Sequence, residues 1–305
     1  MTSRVLPRWA GAAAGVAVLL TAGCGASNGT TPGTGVEVVA STNVWGNIAS
    51  AIGGSRVHVT SVITDPSADP HSYEASARTR LAVSRAAVLI ENGGGYDDFM
   101  GRLITATGSK APVIDAVEAS GAAAAAKSAG ADLNEHVWYD FAAVGKVADA
   151  ITVALAKADP GGAGGFRAND ARLQGQLNDL IGQVTADRAS TQGAGVAITE
   201  PVPLDLLDAL GAVNKTPPAF SKAVEEGTDV SPEVLQQTRD LFTGHAVKAL
   251  VYNAQTTDAQ TEQLRRAAEA AQVAVVPVTE TLPPGKDYLQ WMTDNLAAMK
   301  TALAA

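Results

Sequence analysis

Cysteine is almost missing from this chain of 305 residues, whose sequence contains one, Cys24. Without a second thiol the chain cannot form an internal disulfide or a thiolate metal site, so burial of apolar side chains must hold the fold. Aromatic residues make up 5% of the sequence, charged residues 17% and hydrophobic residues 46%. These fractions exclude a disordered chain, and the length suits two globular domains of ordinary size.

The apolar stretch at the amino terminus is too short to cross a membrane. Two arginines precede a run from Ala10 to Leu20, and small residues follow it. This pattern predicts a signal peptide over residues 1–23. Cys24 comes directly after Thr21-Ala22-Gly23, which resembles a bacterial lipobox with threonine in place of the usual leucine. We therefore expect Cys24 to be lipidated; an ordinary signal peptide cleaved nearby is the alternative.

Positive charge is also in short supply. The formal net charge is −9, and it becomes −11 once residues 1–23 are removed, because that segment contains Arg4, Arg8 and no acidic residue. A chain of this charge is a poor binder of nucleic acid and a fair collector of cations. Solubility alone explains the charge equally well.

Strand-like and helical segments alternate along the rest of the chain, which predicts an α/β fold with parallel sheets covered by helices. Residues 24–35, rich in glycine, serine and threonine after the cysteine, predict a flexible tether. The alanine-rich stretch from Ala119 to Ala131 fits a helix or a mobile loop equally well.

A long helix separates two halves of this pattern. It is predicted from Phe166 to about Ala189, where proline is absent and apolar residues recur at helical spacing. The predicted organisation is an amino-terminal α/β lobe at residues 36–163, a linking helix at 164–190 and a carboxy-terminal α/β lobe at 191–305.

Four side chains that can bind a metal ion share one position in this pattern, since each lies in or beside a turn and three directly follow a predicted strand. They are His71, His136, Glu200 and Glu280. In open α/β sheets, ligands bind at the carboxyl ends of the strands. Two imidazoles from the first half and two carboxylates from the second would suit a divalent first-row metal, if the two halves face each other.

Three of these residues have a simpler explanation as well. His71 fits an exposed loop histidine, Glu200 precedes Pro201 and fits a helix cap, and Glu280 fits a solvated loop carboxylate. His58 lies within a predicted strand. His245 lies near a helix end, where it can interact with the helix dipole. We do not expect these last two histidines to bind metal.

Five segments, from about Val36 to the carboxyl terminus, carry a family resemblance. They are Asp69-Pro70-His71-Ser72-Tyr73-Glu74, Asn134-Glu135-His136-Val137-Trp138, Thr199-Glu200-Pro201, Val251-Tyr252-Asn253-Ala254-Gln255-Thr256 and Val278-Thr279-Glu280-Thr281-Leu282. With these segments together and in this order, the chain resembles the substrate-binding proteins of ABC importers for zinc and manganese.

The resemblance implies two α/β lobes joined by one long rigid helix, with a metal ion between the lobes. Its ligand positions fall on His71, His136, Glu200 and Glu280. The chain departs from the family pattern in three places: Glu280 replaces the common aspartate, Glu135 replaces the proline before the histidine, and residues 119–131 contain no histidine.

The resemblance also implies a function outside the cytoplasm. We expect a monomeric receptor, lipid-anchored to the outer face of the cytoplasmic membrane. It would capture one divalent ion, Mn²⁺ or Zn²⁺, and deliver it to an ABC permease without catalysis. Two carboxylates favour Mn²⁺, whereas intrinsic affinity places Zn²⁺ above it.

Two other functions fit the same residues less well. A metal-dependent hydrolase would need an open coordination position and a general base, and the sequence lacks a His-Glu-x-x-His segment. A surface adhesin of the same fold is the third reading, and no sequence feature favours it over transport.

Overall fold

The computed structural model describes residues 35–66, 68, 70, 71 and 73–304, which belong to one compact unit. The predicted signal peptide, Cys24 and nearly all of the predicted tether lie outside the described residues. No helix in the described part of the chain is long and apolar enough to cross a membrane.

In the part of the amino-terminal half that the structure describes, four strands and six α-helices precede the long helix. The strands are β1 (Val36–Thr42), β2 (Val57–Ile63), β3 (Val88–Glu91) and β4 (Val113–Asp115). The helices are α1 (Asn43–Gly53), α2 (Ala77–Arg85), α3 (Asp98–Thr107), α4 (Ala116–Ser120), α5 (Ala122–Ala129) and α6 (Phe141–Ala158).

The long helix and the carboxy-terminal half repeat this alternation. The long helix is α7 (Ala163–Thr191), and the strands that follow are β5 (Gly195–Ile198), β6 (Val213–Asn214), β7 (Ala249–Asn253) and β8 (Ala274–Val278). The remaining helices are α8 (Leu204–Ala209), α9 (Pro218–Glu225), α10 (Pro232–Thr243), α11 (Ala259–Ala270) and α12 (Tyr288–Ala304).

Both sheets are parallel and have the same strand order. The first runs β2-β1-β3-β4 and the second β6-β5-β7-β8. The central strands β3, β5 and β7 are largely apolar and buried on both faces, because helices cover each side of the sheets. The predicted fold class, two parallel-sheet lobes joined by a long helix, is confirmed. The exact lobe boundaries stay predictions.

The long helix is held by one apolar stripe. Leu173, Leu177, Leu180 and Val184 recur every three or four residues and are buried against the core. On its other faces α7 is polar and exposed. It packs on α1 and α6 of the first half and on the closing helix α12, so α7 contacts both halves along its length.

In two segments the sequence pattern does not decide the secondary structure, and the structure shows it. The stretch Ala119–Ala131 is helical: α4 and α5 are separated at Gly121, whose φ of 82° is a left-handed conformation that glycine adopts without strain. Three elements, β6, α9 and α10, lie in the segment between residues 212 and 248, where the sequence pattern predicted a helix end near His245 and no other helix or strand.

Side chains from the two halves are bonded directly to each other. The Asn43 side chain donates to the carbonyl of Leu282 at 3.1 Å and accepts from its N–H at 2.9 Å. The Tyr288 hydroxyl at the start of α12 donates to the carbonyl of Trp138 at 2.6 Å. These bonds are made by residues more than 100 positions apart, so the two lobes share one core.

Candidate metal centre

The two predicted carboxylate ligands lie at the carboxyl edge of the second sheet. Glu200 follows β5 and Glu280 follows β8, while β7 lies between those strands and ends at Asn253. The amide nitrogen of Asn253 donates to Oε1 of Glu280 at 2.7 Å and to Oε2 of Glu200. Glu200 also accepts from the hydroxyl of Thr256. The strand order therefore explains why one amide holds both carboxyl groups together.

Both carboxyl groups are buried, with 3% of Glu200 and 4% of Glu280 exposed. Burial raises the pKa of Glu200 to about 8, against the lowering effect of its hydrogen bonds from Thr256 and Asn253. Burial likewise raises the pKa of Glu280 to about 7. Neither alternative role holds: Glu280 is not a solvated loop carboxylate, and the Glu200 carboxyl is engaged with β7 and its loop instead of capping α8.

His136 is completely buried and is held in one orientation. Its Nδ1 lies 2.8 Å from Oδ1 of Asn134, and the Asn134 amide donates to Asp205 at 3.3 Å. Because Asn134 Oδ1 accepts, Nδ1 of His136 carries the proton and Nε2 presents a lone pair. Burial lowers the pKa of His136 to about 4, so the ring is neutral at physiological pH.

His71 and His136 both pack against the ring of Tyr96. The ring centroids of His71 and Tyr96 are 5.2 Å apart, and those of Tyr96 and His136 are 5.9 Å apart, both edge to face. Tyr96 is fully buried, and burial together with the negative charge of Glu280 raises its pKa well above the ordinary value. Tyr96 therefore contacts both imidazoles, and its pKa responds to the charge of Glu280. Asp69 and Ser72, which flank His71 in the sequence motif, lie outside the described residues.

A carboxylate that the sequence did not predict lies against both imidazoles. Oε1 of Glu225, the last residue of α9, is 3.4 Å from Nε2 of His71 and 3.6 Å from Nε2 of His136. Burial acts to raise the pKa of Glu225, but its contacts with His71 and His136 outweigh burial, and the pKa lies below the ordinary value.

Glu135 completes this side of the site. Ligand atoms of His71, Glu135 and Glu225 all lie within 4.8 Å of one another, which makes them the one such group of metal-binding side chains in the described part of the chain. Burial raises the pKa of Glu135 to about 7. Of the four ligands predicted from sequence, His71 alone belongs to this group. His136 lies outside it and contacts one member, Glu225.

The predicted residues thus form two neighbouring pairs, His71 with His136 and Glu200 with Glu280. Sequence patterns missed Glu225 because the helix that carries it was not predicted. Phe220 and Val224, four residues apart and buried, are the signal that could have located that helix. Glu135 departs from the family pattern, and the sequence pattern predicts no role for it.

The remaining two histidines are placed as the sequence predicted. His58 is exposed in β2. His245 is exposed directly after α10 and has a φ of 48°.

Comparison with known proteins identifies the family. A family model described as zinc-uptake complex component A, periplasmic (ZnuA), matches residues 38–302. The chain belongs to the ZnuA family. Because this match covers nearly all of the described residues, both lobes and the linking helix are part of the ZnuA-family fold.

Relatives of known function support the same family. The manganese-binding lipoprotein MntA of Halalkalibacterium halodurans is 35% identical over 168 residues, which are 54% of this chain and 53% of MntA. The alignment therefore spans about half the length of that curated relative.

Solved structures share the ZnuA-family fold across most of the chain. The periplasmic zinc binding protein TroA of Treponema pallidum has a TM-score of 0.72 at 21% identity, with 88% of this chain and 99% of TroA covered. FpvC of Pseudomonas aeruginosa in complex with Mn²⁺ has a TM-score of 0.71 at 22% identity, covering 88% and 98%.

Proposed function

We propose that this ZnuA-family protein is the extracytoplasmic substrate-binding component of an ABC importer, which captures one divalent transition-metal ion between its lobes and delivers it to a membrane permease. The observation that carries the proposal is the buried Nε2 of His136, which has no hydrogen-bond partner among the residues that the structure describes. A buried polar nitrogen without a hydrogen-bond partner lowers the stability of the fold unless another group binds it.

The ligands of this proposal are His71 and His136 through Nε2, and Glu200 and Glu280 through their carboxylates. Within the described chain, Oε2 of Glu280 is also buried without a hydrogen bond, so it is available to an ion. A cation would remove the repulsion between the two carboxylates that Asn253 now reduces. The cargo is Mn²⁺ or Zn²⁺, the ions named for the similar proteins MntA, FpvC and TroA.

Capture and release need no catalytic step. The ion requires a set of ligands that closes around it, and release follows from lobe motion or contact with the permease. The hydrogen bonds between the lobes favour small movements over wide hinge closure. We further propose that the protein acts as a monomer, anchored through a lipid on Cys24 to the outer face of the cytoplasmic membrane.

Metal analysis and competition titration test this function. Protein purified without added metal should bind one divalent ion per chain. Glu200→Ala and Glu280→Ala should each weaken binding by more than about tenfold, since loss of supporting groups alone costs about 10–100-fold. His58→Ala, an exposed histidine away from the site, serves as the control and should bind as the wild type does.

Two results would contradict the proposal in different ways. A wild type that binds neither Mn²⁺ nor Zn²⁺ would refute metal capture. Normal affinity in both carboxylate variants would refute the ligand assignment.

A further inference from the structure

The spacing of Glu225 from the two imidazoles is that of ligands around one ion. Two ligands about 2.1 Å from one ion are separated by roughly 3.0 Å in octahedral geometry and roughly 3.4 Å in tetrahedral geometry. Oε1 of Glu225 lies 3.4 Å from Nε2 of His71 and 3.6 Å from Nε2 of His136. Hydrogen bonds of this type are shorter, about 2.7–3.2 Å. Oε1 of Glu225 therefore lies at ligand spacing from each imidazole nitrogen, and with His71 and Glu135 it forms a group whose ligand atoms all lie within 4.8 Å of one another.

Two further observations point to a ligand at this position. Neither Oε1 of Glu225 nor Nε2 of His136 makes a hydrogen bond to any residue that the structure describes. His136 is completely buried, so solvent does not satisfy its nitrogen. The Nδ1 bond to Asn134 fixes the ring with Nε2 facing Glu225. A buried nitrogen and a buried carboxylate oxygen thus face each other at 3.6 Å, and neither has a hydrogen-bond partner among the described residues.

The packing of α9 on the second lobe fixes the position of Glu225 beside the two imidazoles. Glu225 ends α9, whose Phe220 and Val224 are 0% and 7% exposed in the core of the second lobe. The Glu225 side chain itself is 15% exposed. Because these two residues fix α9 on the second lobe, the carboxylate of its last residue is held against His71 and His136 of the first lobe.

We propose that Glu225 is an additional metal ligand, supplied by α9, and that it raises the affinity of the site for Mn²⁺ more than its affinity for Zn²⁺. This inference rests on the proposed function of metal capture. With Glu225, the two histidines and the two predicted glutamates offer five ligand groups, and Glu135 lies within reach as a sixth. Zn²⁺ is satisfied by four ligands, whereas Mn²⁺ takes six and prefers carboxylate oxygen.

Neighbouring glutamates provide a matched pair of variants. Glu225→Gln removes the charge at the site and keeps the size of the side chain. Glu226→Gln makes the same change one residue later, where the side chain is 56% exposed and lies 3.9 Å from Lys222. Mn²⁺ and Zn²⁺ dissociation constants are measured for both variants and the wild type by competition with a chelator of known affinity.

We expect Glu225→Gln to weaken Mn²⁺ binding by at least about 30-fold and Zn²⁺ binding by less than about fivefold, since Zn²⁺ keeps four ligands. Glu226→Gln should stay within about twofold of the wild type for both ions, as for an exposed surface charge. Glu225→Asp, which retains a carboxylate, should lose less Mn²⁺ affinity than Glu225→Gln. Melting curves of the metal-free variants establish that each is folded.

Unchanged affinities in Glu225→Gln, or equal losses for the two ions, would overturn this inference while leaving metal capture in place. If the wild type bound neither ion, the inference would fall together with the proposed function. The wild-type titration therefore separates the two failures.

Discussion

Asn134 controls which nitrogen of His136 can bind an ion. Its side-chain oxygen accepts from Nδ1 at 2.8 Å, and its amide is itself held by Asp205 of the second lobe. An imidazole ligand whose second nitrogen is fixed in this way keeps both its tautomer and its orientation. The residues that prepare the proposed site thus come from both lobes, as its ligands do.

Replacing Asn134 by alanine should weaken metal binding by about 10–100-fold, because His136 then loses the partner that fixes its tautomer and orientation. Competition titration with Zn²⁺ and Mn²⁺ measures the effect. Asp132→Ala in the same loop is the control, since Asp132 is exposed, and it should bind like the wild type. Equal affinities in the two variants would show that Asn134 does not prepare the site.

At this scale the sequence predicts some residues and not others for a physical reason. His71, Glu200 and Glu280 could be selected because each follows a strand, and parallel strands bring their carboxyl ends to one edge. The position of Glu225 depends on how α9 packs on the second lobe, and Glu135 shows no periodic pattern. Packing of this kind is a tertiary property that local sequence does not encode. These five and His136 remain proposed ligands.

At the scale of elements, α7 was predictable and α9 was not. The stripe of leucines in α7 repeats over several turns, which gives a strong signal. The shorter α9 begins with Pro217-Pro218, residues that more often mark turns, and has two turns of pattern. For α10 the start signals were present, because Ser231 accepts from the N–H of Val234 and Pro232 occupies the first helical position.

Two glycines make α7 less stable than its length allows. Gly175 and Gly182 are exposed within the helix, and no described atom outside the local backbone lies within 4 Å of a Cβ added at either position. Alanine at both positions should raise the free energy of unfolding by about 1–2 kcal/mol in total, because alanine has the higher helix propensity. Urea denaturation measures the change.

A glycine in α1 gives the opposite expectation and serves as the comparison. A Cβ on Gly46 would lie 2.0 Å from Oγ of Ser61, so Gly46→Ala should destabilise the protein. If the α7 variants were no more stable than the wild type, Gly175 and Gly182 would not limit the stability of the protein.

For the whole molecule, the acidic site makes stability depend on pH. Burial raises the pKa of Glu135 and Glu280 to about 7 and that of Glu200 to about 8, from an ordinary value of 4.5. Between pH 7 and 8.5 the folded chain holds protons on these groups that the unfolded chain has already lost. Raising the pH through this range therefore lowers the stability of the metal-free protein.

Melting temperatures of the metal-free protein should fall from pH 7 to pH 8.5. His136, whose pKa is about 4, is neutral in the folded state at both ends of this range and adds little. Saturating metal should reduce the fall, since an ion stabilises the charged carboxylates, so the increase in melting temperature caused by metal should be larger at pH 8.5. The double variant Glu200→Gln, Glu280→Gln should show a flatter dependence. A melting temperature that rises with pH in the metal-free wild type would contradict this account.

The bonds that Leu282 and Tyr288 make to the first lobe also govern when the chain can finish folding. Asn43 and Trp138 find these partners in segments made after the whole first lobe and α7, including the 17 residues of α12. Until those segments are present, the apolar surface of the first lobe that packs against α12 is uncovered, and such partly folded chains are prone to aggregate. The first lobe therefore reaches its native packing only once the second lobe has been made.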